Sequence, residues 1–305
     1  MFIFVLILLS LSLSQPNVQK NKKGIKQEIL LEYQMQEIFG EWIEVLISKE
    51  KFIYDKKGNL LENSEYNSNG SINRKYIFQY NKKNNRIKES YYEGCFKCFD
   101  TDALLAWQWQ YKYDKNNNWI EQTKYNAVGS LSWKYLYNYD DKNNKVEWLK
   151  YDEKSVLNMR STYKYDKNNN KVEGNYFNAD NDLLWKYLYK YDKNNNMIQW
   201  RKYDADGSLS WKWIYKHDDY NNKTGESYYG SDGSLNRKSI YKYDDNNNII
   251  EELWFQIDGS LKKQYIYNYD KKNNITEKLN YRYEKRSGEY KKLLDSKVVY
   301  EYKYY

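Results

Sequence analysis

Apolar and polar residues alternate along most of this chain with a period of two, which is the pattern of β-strands. Between residues 183 and 191, the odd positions are Leu, Trp, Tyr, Tyr and Tyr, whereas Lys186, Leu188 and Lys190 lie between them. A second apolar run, from Met197 to Tyr203, follows the polar segment D-K-N-N-N. The two runs therefore predict the strands of a β-hairpin with one aromatic face.

This hairpin is one unit of a 26-residue repeat that covers most of the chain. A Tyr-Asp pair or a variant of it opens each unit, and every step is 26 residues except one of 33. An aromatic residue stands two positions before each pair and another twelve positions after its first residue. Repetition within one chain indicates a shared supersecondary unit. The pairs begin at Tyr54, Tyr80, Tyr113, Tyr139, Tyr165, Tyr191, His217, Tyr243 and Tyr269.

Two kinds of turn separate the strands, D-K-N-N-N at 192–196 and D-A-D-G-S at 204–208. Asn and Gly accept positive φ, so both segments are typical of hairpin turns. With loops of about five residues, the register follows, and the second face gains a narrow apolar stripe at Ile120/Leu136, Ile198/Ile214 and Ile250/Ile266. The expected cross-strand pairs in this unit are Tyr203–Leu209, Arg201–Trp211 and Ile198–Ile214.

These repeats predict an all-β fold in which tandem 26-residue β-hairpins form a long antiparallel meander. Neighbouring strands twist by roughly −20°, and open sheets rarely exceed about ten strands without curling or splitting. We therefore expect a coiled or rolled sheet with the Tyr/Trp face inward. The alternative is a β-propeller with two hairpins in each four-stranded blade.

The chain divides into three segments. Residues 1–14 are an apolar run that ends in Ser12-Leu13-Ser14, which predicts a secretory signal peptide. Residues 15–28 are a polar linker, and residues 29–305 form a single β-hairpin repeat domain. Between Gln27 and Phe39, apolar residues recur at helical spacing, which predicts a short capping helix at the start of that domain. No later segment is apolar enough to span a membrane, so we expect a secreted or cell-surface protein.

Composition and charge narrow the choice of partners. Aromatic residues make up 19% of the chain, with 37 Tyr and 11 Trp, which favours pleated sheets. The net charge is +8, but Lys and Glu are interleaved and form no concentrated basic patch. Nucleic acid is therefore not an expected partner. A glycan, an anionic cell-surface polymer or another protein is expected instead.

The recurrent pattern Y-x-Y-D-x-x-x-N, followed by an apolar residue, resembles the YD repeats of RHS-type proteins over roughly residues 42–304. The period departs from that family, and its turn glycine is present only in Asp55-Lys-Lys-Gly-Asn59. The resemblance implies a strand-rich shell or spiral, often at a cell surface, with a binding or encapsulating role. It transfers no catalytic residue.

The main candidate binding residues are four tryptophans that share one repeat position. Adjacent hairpins would place them about 9.6 Å apart, two strand spacings, so that they could stack against sugar rings. The alternative, which the sequence favours, is that their face is the core of the coil. The four residues are Trp107, Trp133, Trp185 and Trp211.

Other motifs predict structure rather than chemistry. The D-x-N-x-N turns lack the Gly and the bidentate Glu of a calcium loop. A repeated Glu, as at Glu121 and Glu173, is expected to accept bonds from Lys or Tyr rather than to form an acid/base pair. Cys95 and Cys98 lie in the insertion that lengthens one unit, and an exported protein would join them in a local disulfide.

No cofactor or metal is predicted, and the chain is not expected to be an enzyme. The sequence favours an exported, non-catalytic repeat protein that acts as a binding or scaffold module at the cell surface. The alternative is a carbohydrate-binding module that uses the Trp/Tyr ladder.

Overall fold

The structure is a computed structural model that describes residues 22, 24–39, 41–94, 103–286 and 289–305. These ranges contain twenty β-strands and no helix, so no helix within them could span a membrane. The strands are β1 (Ile25–Ile38), β2 (Glu41–Tyr54), β3 (Leu60–Asn67), β4 (Ile72–Tyr80), β5 (Arg86–Gly94), β6 (Ala103–Tyr113), β7 (Trp119–Asn126), β8 (Leu131–Tyr139), β9 (Lys145–Tyr151), β10 (Leu157–Tyr165), β11 (Lys171–Asn178), β12 (Leu183–Tyr191), β13 (Met197–Asp204), β14 (Leu209–His217), β15 (Lys223–Tyr229), β16 (Leu235–Tyr243), β17 (Ile249–Phe255), β18 (Leu261–Tyr269), β19 (Ile275–Arg286) and β20 (Glu289–Tyr304).

All twenty strands belong to one sheet that closes on itself. Each strand pairs antiparallel with the next one along the chain, and β1 pairs antiparallel with β20. The antiparallel meander predicted from the repeats is therefore confirmed, in the form of a closed barrel. The propeller alternative is wrong, because the strands form one continuous sheet rather than separate blades.

The predicted register is correct next to the turn and one residue off beyond it. Tyr203 pairs with Leu209 as expected, but Trp211 pairs with Lys202 rather than Arg201, and Ile214 pairs with Gln199 rather than Ile198. The cause is a register shift between Lys202 and Tyr203 that leaves one extra residue in β14. The same shift gives Leu136 and Ile266 glutamate partners, so the predicted pairs Ile120/Leu136 and Ile250/Ile266 do not form.

The predicted capping helix is wrong. Residues Ile25–Ile38 form β1, which also takes in the end of the segment predicted to be a linker. β1 pairs with β2 on one side and with β20 on the other. β20 gives this segment a second pairing partner and makes it the strand that closes the barrel. The spacing of apolar residues within the segment could not predict this partner.

Both kinds of turn have the same backbone geometry. In the turn after Tyr139, Asn143 N–H donates to Asp140 O (3.0 Å) and Asp140 N–H donates to Asn144 O (2.9 Å). The fourth residue lies in the left-handed region, as with Asn143 at φ 62° and Gly207 at φ 85°. Asn or Gly occupies this position in most turns because those residues accept positive φ at low cost.

The aspartate of the Tyr-Asp pair holds its turn closed. Asp140 Oδ1 accepts the backbone N–H groups of Lys142 (3.0 Å) and Asn144 (2.7 Å), and its Oδ2 accepts from Asn144 Nδ2 (3.0 Å). The hydrogen bond from the Asn144 side chain, followed by those from the backbone, outweighs partial desolvation and keeps the pKa of Asp140 below its usual value. This aspartate therefore acts as a turn cap.

Pairing divides the side chains into two faces. The aromatic face contains Trp185, Tyr187 and Tyr189 with the residues paired to them around the barrel, and the charged face contains Lys186, Leu188, Lys190 and their partners. Five of the tyrosines that stand two positions before the Tyr-Asp pairs are buried on the aromatic face. They are Tyr111, Tyr163, Tyr189, Tyr241 and Tyr267.

The aromatic face is covered mainly by its own side chains rather than by a second layer. Among the described residues, only strands adjacent in the sheet, together with β4 and β6, bring Cα atoms within 8 Å of each other. The core is consequently a band of laterally packed rings on one sheet. Its most buried cluster is formed by Tyr241, Ile249, Tyr267 and Ile275.

Candidate ligand-binding face

The four tryptophans singled out from the sequence lie on the aromatic face, and all four are partly exposed. Three of them carry a lysine ammonium over the ring. Lys124 Nζ lies 4.7 Å from the centroid of Trp107, Lys150 Nζ lies 3.8 Å from Trp133, and Lys202 Nζ lies 5.5 Å from Trp185. Each of these lysines comes from the strand that follows its tryptophan, so rings and cations alternate along the face.

Other rings, which the repeat pattern does not reveal, pack against three of these tryptophans. Tyr176 stacks on Trp185 with centroids 5.2 Å apart, and Trp200 meets Trp211 edge-on at 4.8 Å. Tyr91 stacks on Trp107 at 5.0 Å. Tyr176 and Trp200 were missed because their repeat positions hold different residue types in other units, including Lys and Glu. Trp107, Trp185 and Trp211 therefore belong to larger clusters of rings, whereas Trp133 lies under Lys150.

A second row of lysines lies closer to the D-x-N-x-N turns. Lys145 Nζ is 5.3 Å from the Tyr137 centroid and 5.5 Å from that of Tyr163. Lys171 Nζ is 5.1 Å from Tyr163 and 4.7 Å from Tyr189. Each cation is thus held between the rings of two successive hairpins, the geometry of cation–π contacts.

These lysines are desolvated without a compensating carboxylate. Burial lowers the pKa of Lys124, Lys145 and Lys150 below the usual value, and burial together with nearby Lys145 lowers the pKa of Lys171 to about 8. Within the described part of the chain, none of these four makes an ion pair; Lys202, the fifth, is 3.5 Å from Asp204. Perturbed lysines grouped on one surface are a feature of functional sites.

Charge is unevenly distributed around the aromatic face. From β6 to β12 the described residues of this face include no carboxylate, because the glutamates there lie on the charged face. We call the aromatic face of β6–β14 the basic sector; among its described strand residues the one carboxylate is Asp204, which lies 3.5 Å from Lys202. The remaining strands place glutamates on the same face, and we call their part the acidic sector. Those residues are Glu28, Glu32, Glu50, Glu65, Glu89, Glu93, Glu226 and Glu252.

The repeated glutamates of the charged face are engaged in ion pairs. Glu121 lies between Lys112 (2.8 Å) and Lys134 (3.3 Å), and Glu173 lies between Lys164 (2.9 Å) and Lys186 (3.7 Å). The prediction that these glutamates accept from lysines is confirmed. Surface pairs of this kind contribute little stability individually, and the repeated arrangement provides no differentiated acid/base pair.

The remaining candidates add no further site. Cys95 and Cys98 lie outside the described residues, as do the predicted signal peptide and most of the predicted linker. In the described ranges, His, Cys, Asp and Glu form no group of three or more that could hold a metal ion. On the aromatic face, Trp185 Nε1 and Trp200 Nε1 are buried donors without a hydrogen-bond partner.

No family model matches the chain, and no curated protein matches it. Among solved structures, it is similar to a porin-like protein from Bacteroides uniformis, with 11% identity and a TM-score of 0.40, covering 92% of this chain and 98% of that one. A porin-like protein from Bacteroides vulgatus matches at 11% identity and a TM-score of 0.27, covering 81% and 98%.

The chain is also similar to part of TcdB2-TccC3 without its hypervariable C-terminal region. That match has 13% identity and a TM-score of 0.32, covers 79% of this chain and spans 15% of the other. At these identities and TM-scores, none of the similarities supports an argument about function. The resemblance of the repeat to YD repeats stays a prediction.

Proposed function

We propose that this chain is a non-catalytic binding protein of the cell surface, and that its ligand surface is the basic sector. The observation behind the proposal is the array of partly exposed rings around Trp107, Trp133, Trp185 and Trp211. Aromatic rings bind the apolar faces of sugars, and tyrosine hydroxyls add hydrogen bonds. A glycan is therefore the proposed ligand.

Two features support binding over catalysis. The carboxylates of the charged face repeat with the hairpins and are neutralised by lysines. The Tyr and the Asp of the repeated turn also have structural partners, as Tyr139 and Asp140 show. The apolar segment at residues 1–14 supports export, because it has the length and the small-residue end of a secretory signal.

The test is titration with glycans, followed by the intrinsic tryptophan emission. We expect an oligosaccharide long enough to cover several rings to change that emission, and Trp133→Ala to weaken its affinity about five- to tenfold, in keeping with about 1 kcal/mol for one ring contact. Trp254→Ala is the matched control, since Trp254 lies on the same face in the acidic sector.

A purely structural scaffold is the competing function. It predicts that no glycan alters the tryptophan emission and that acrylamide quenches the basic sector poorly. Equal losses of affinity in the Trp133 and Trp254 variants would contradict a ligand surface confined to the basic sector.

A further inference from the structure

We propose that the ligand of the basic sector is an acidic polysaccharide, in which negatively charged groups alternate with uncharged sugar rings. This inference rests on the proposed function and specifies the chemistry of the ligand. It follows from the placement of the lysines among the rings and from the distribution of carboxylates around the barrel.

The first argument is the lack of counter-charges. Lys124, Lys145, Lys150 and Lys171 are partly buried, and no described carboxylate pairs with them. Burying a cation without a partner is unfavourable, and ring contacts offset only part of that cost. An anionic group supplied by a ligand would complete the hydrogen bonding of these ammonium groups.

The second argument is the alternation of ring and charge. Trp107 and Trp133 are followed on the next strands by Lys124 and Lys150. Equivalent positions on successive hairpins are about 9.6 Å apart across the sheet, two strand spacings. A polymer with one acidic group for every two sugar rings presents the complementary order, with a ring over each tryptophan and an anion near each lysine.

The contact between Lys150 and Trp133 indicates how an acidic ligand would rearrange these side chains. Lys150 Nζ lies 3.8 Å from the centroid of Trp133 and therefore covers part of that ring. An anion would attract the ammonium group and uncover the ring face for a sugar. Binding should consequently change the environment of the tryptophan and of the lysine together.

The third argument is the acidic sector. Glu226 and Glu65 place carboxylates on the aromatic face on the other side of the barrel, and cations of that face pair with them: Lys223 lies 2.8 Å from Glu226, and Arg74 pairs with Glu65. The cations of the acidic sector are thus engaged by carboxylates of the protein, whereas among the described residues no carboxylate pairs with Lys124 or Lys150 of the basic sector, and these lysines can attract a polyanion. This asymmetry favours one wall of the barrel as the binding surface for a negatively charged chain.

A single-stranded nucleic acid is the other polyanion that stacks on rings. Its charge density is higher, since every nucleotide carries a phosphate, whereas the proposed polysaccharide carries one acidic group for every two rings. The lysines at equivalent positions here are about 9.6 Å apart, and several ring faces are already covered by lysines or neighbouring rings. The wider spacing favours a sparsely charged polysaccharide.

The experiment compares four probes by calorimetry and tryptophan emission, using the full chain at two salt concentrations. The probes are hyaluronan oligosaccharides (one carboxylate for two rings), chondroitin sulfate oligosaccharides of equal length, neutral dextran oligosaccharides and poly(dT). We expect an acidic glycan to bind at least tenfold more tightly than dextran and its affinity to fall as salt rises. The first two probes distinguish carboxylate from sulfate recognition.

Two variants locate the charge. We expect Lys150→Gln to weaken acidic glycan binding about tenfold, the loss of one charged contact, and not to weaken dextran binding, since the Trp133 ring becomes less covered. Lys190→Gln is the control, because Lys190 is exposed on the charged face. Circular dichroism and the melting temperature establish that both variants fold, and a second substitution, Lys124→Gln, tests the site independently.

The outcomes distinguish specificity for acidic polysaccharides from the proposed glycan-binding function on which it rests. Equal binding of dextran and the acidic glycans would overturn the acidic specificity and leave a glycan-binding function in place. Tightest binding of poly(dT) would overturn the inference in favour of nucleic acid. Binding of none of the four probes would overturn the inference and count against the proposed function as well.

Discussion

Tyrosine in the Tyr-Asp pair links one hairpin to the hairpin before it. Tyr243 Oη donates to Lys223 O (2.9 Å), twenty residues earlier. The same bond recurs at the same separation, from Tyr139 to Trp119 (2.8 Å) and from Tyr165 to Lys145 (2.8 Å). The motif that opens each repeat unit therefore makes a repeated structural bond, as its position at a strand end suggests.

His217 is the exception, and it predicts a stabilising substitution. Its Nδ1 is buried without a hydrogen-bond partner, and burial lowers its pKa although Asp192 opposes that shift. We expect His217→Tyr to restore the repeated bond to the backbone carbonyl twenty residues earlier. The gain should be about 0.5–1.5 kcal/mol, the usual net contribution of one hydrogen bond, and urea unfolding measures it.

The matched control is Tyr243→Phe, which removes the hydroxyl but keeps the ring. We expect the phenylalanine variant to lose stability by a similar amount. If this variant unfolds at the wild-type urea concentration, the interhairpin hydroxyl bond contributes nothing. A destabilised His217→Tyr would show that the site around residue 217 has adapted to imidazole.

At the scale of the element, an asparagine ladder ties neighbouring turns together. Asn143 Oδ1 accepts from Asn116 Nδ2 (2.9 Å) and from Asn118 Nδ2 (2.9 Å) of the preceding unit. Asn144 Nδ2 in turn donates to Asn169 Oδ1 (3.2 Å) of the following one. The excess of Asn in the sequence thus has two structural uses, a left-handed turn residue and a lateral hydrogen bond.

Two substitutions at Asn143 separate these uses. Asn143→Gly keeps the left-handed conformation and loses the lateral bonds, whereas Asn143→Ala loses both. We expect the alanine variant to be less stable than the glycine variant by about 1–2 kcal/mol, the strain of a left-handed residue with a Cβ. Thermal unfolding followed by circular dichroism checks the order.

The comparison with wild type then isolates the ladder. Glycine adopts φ 62° without strain. Asn143→Gly therefore lowers the free energy of unfolding in two ways: glycine has more conformational freedom in the unfolded chain, and the two lateral bonds are lost. Any loss of stability beyond the first effect measures the lateral bonds. A glycine variant as stable as wild type would mean that the ladder is incidental.

The strands and turns could be predicted from the sequence wherever residues close together in the chain determine the conformation. Strand identity followed from alternation, and the turns followed from Asn and Gly at positions such as Asn143 and Gly207. The register did not, since a bulge adds one unpaired residue and moves Trp211 from Arg201 to Lys202. Residues 25–38 were misassigned because a strand 250 or more residues away decides their conformation.

The candidate site was predictable only in part for the same reason. The shared repeat position of the four tryptophans places them on one face, as the structure confirms. The lysines over their rings could not be assigned without the bulge, because the uncorrected register would place Lys202 on the opposite face from Trp185, the ring that it covers. The separation into a basic and an acidic sector needed the complete barrel.

At the scale of the whole molecule, the decisive contact is the seam between β1 and β20. It runs from Ile25 opposite Tyr304 to Gln34 opposite Ser296. Tyr305 N–H also donates to Gly24 O (3.1 Å), and Lys297 Nζ lies 2.5 Å from Glu44 Oε1. Closure removes the two free edges that an open meander would present for association.

The seam predicts that the chain can be circularly permuted. Since Gly24 and Tyr305 are hydrogen-bonded neighbours, a linker of about four residues, which spans up to about 14 Å, can join them. New termini inside the β12–β13 turn, between Lys193 and Asn194, break no strand pairing. We expect this permutant to be monomeric and to melt within a few degrees of a chain that starts at residue 24, as measured by light scattering and circular dichroism.

A second permutant, opened between Tyr187 and Leu188 in the middle of β12, should be strongly destabilised because it interrupts the pairing with β11 and β13. If both permutants fail alike, the two ends do not meet in solution and the sheet is an open spiral rather than a closed barrel.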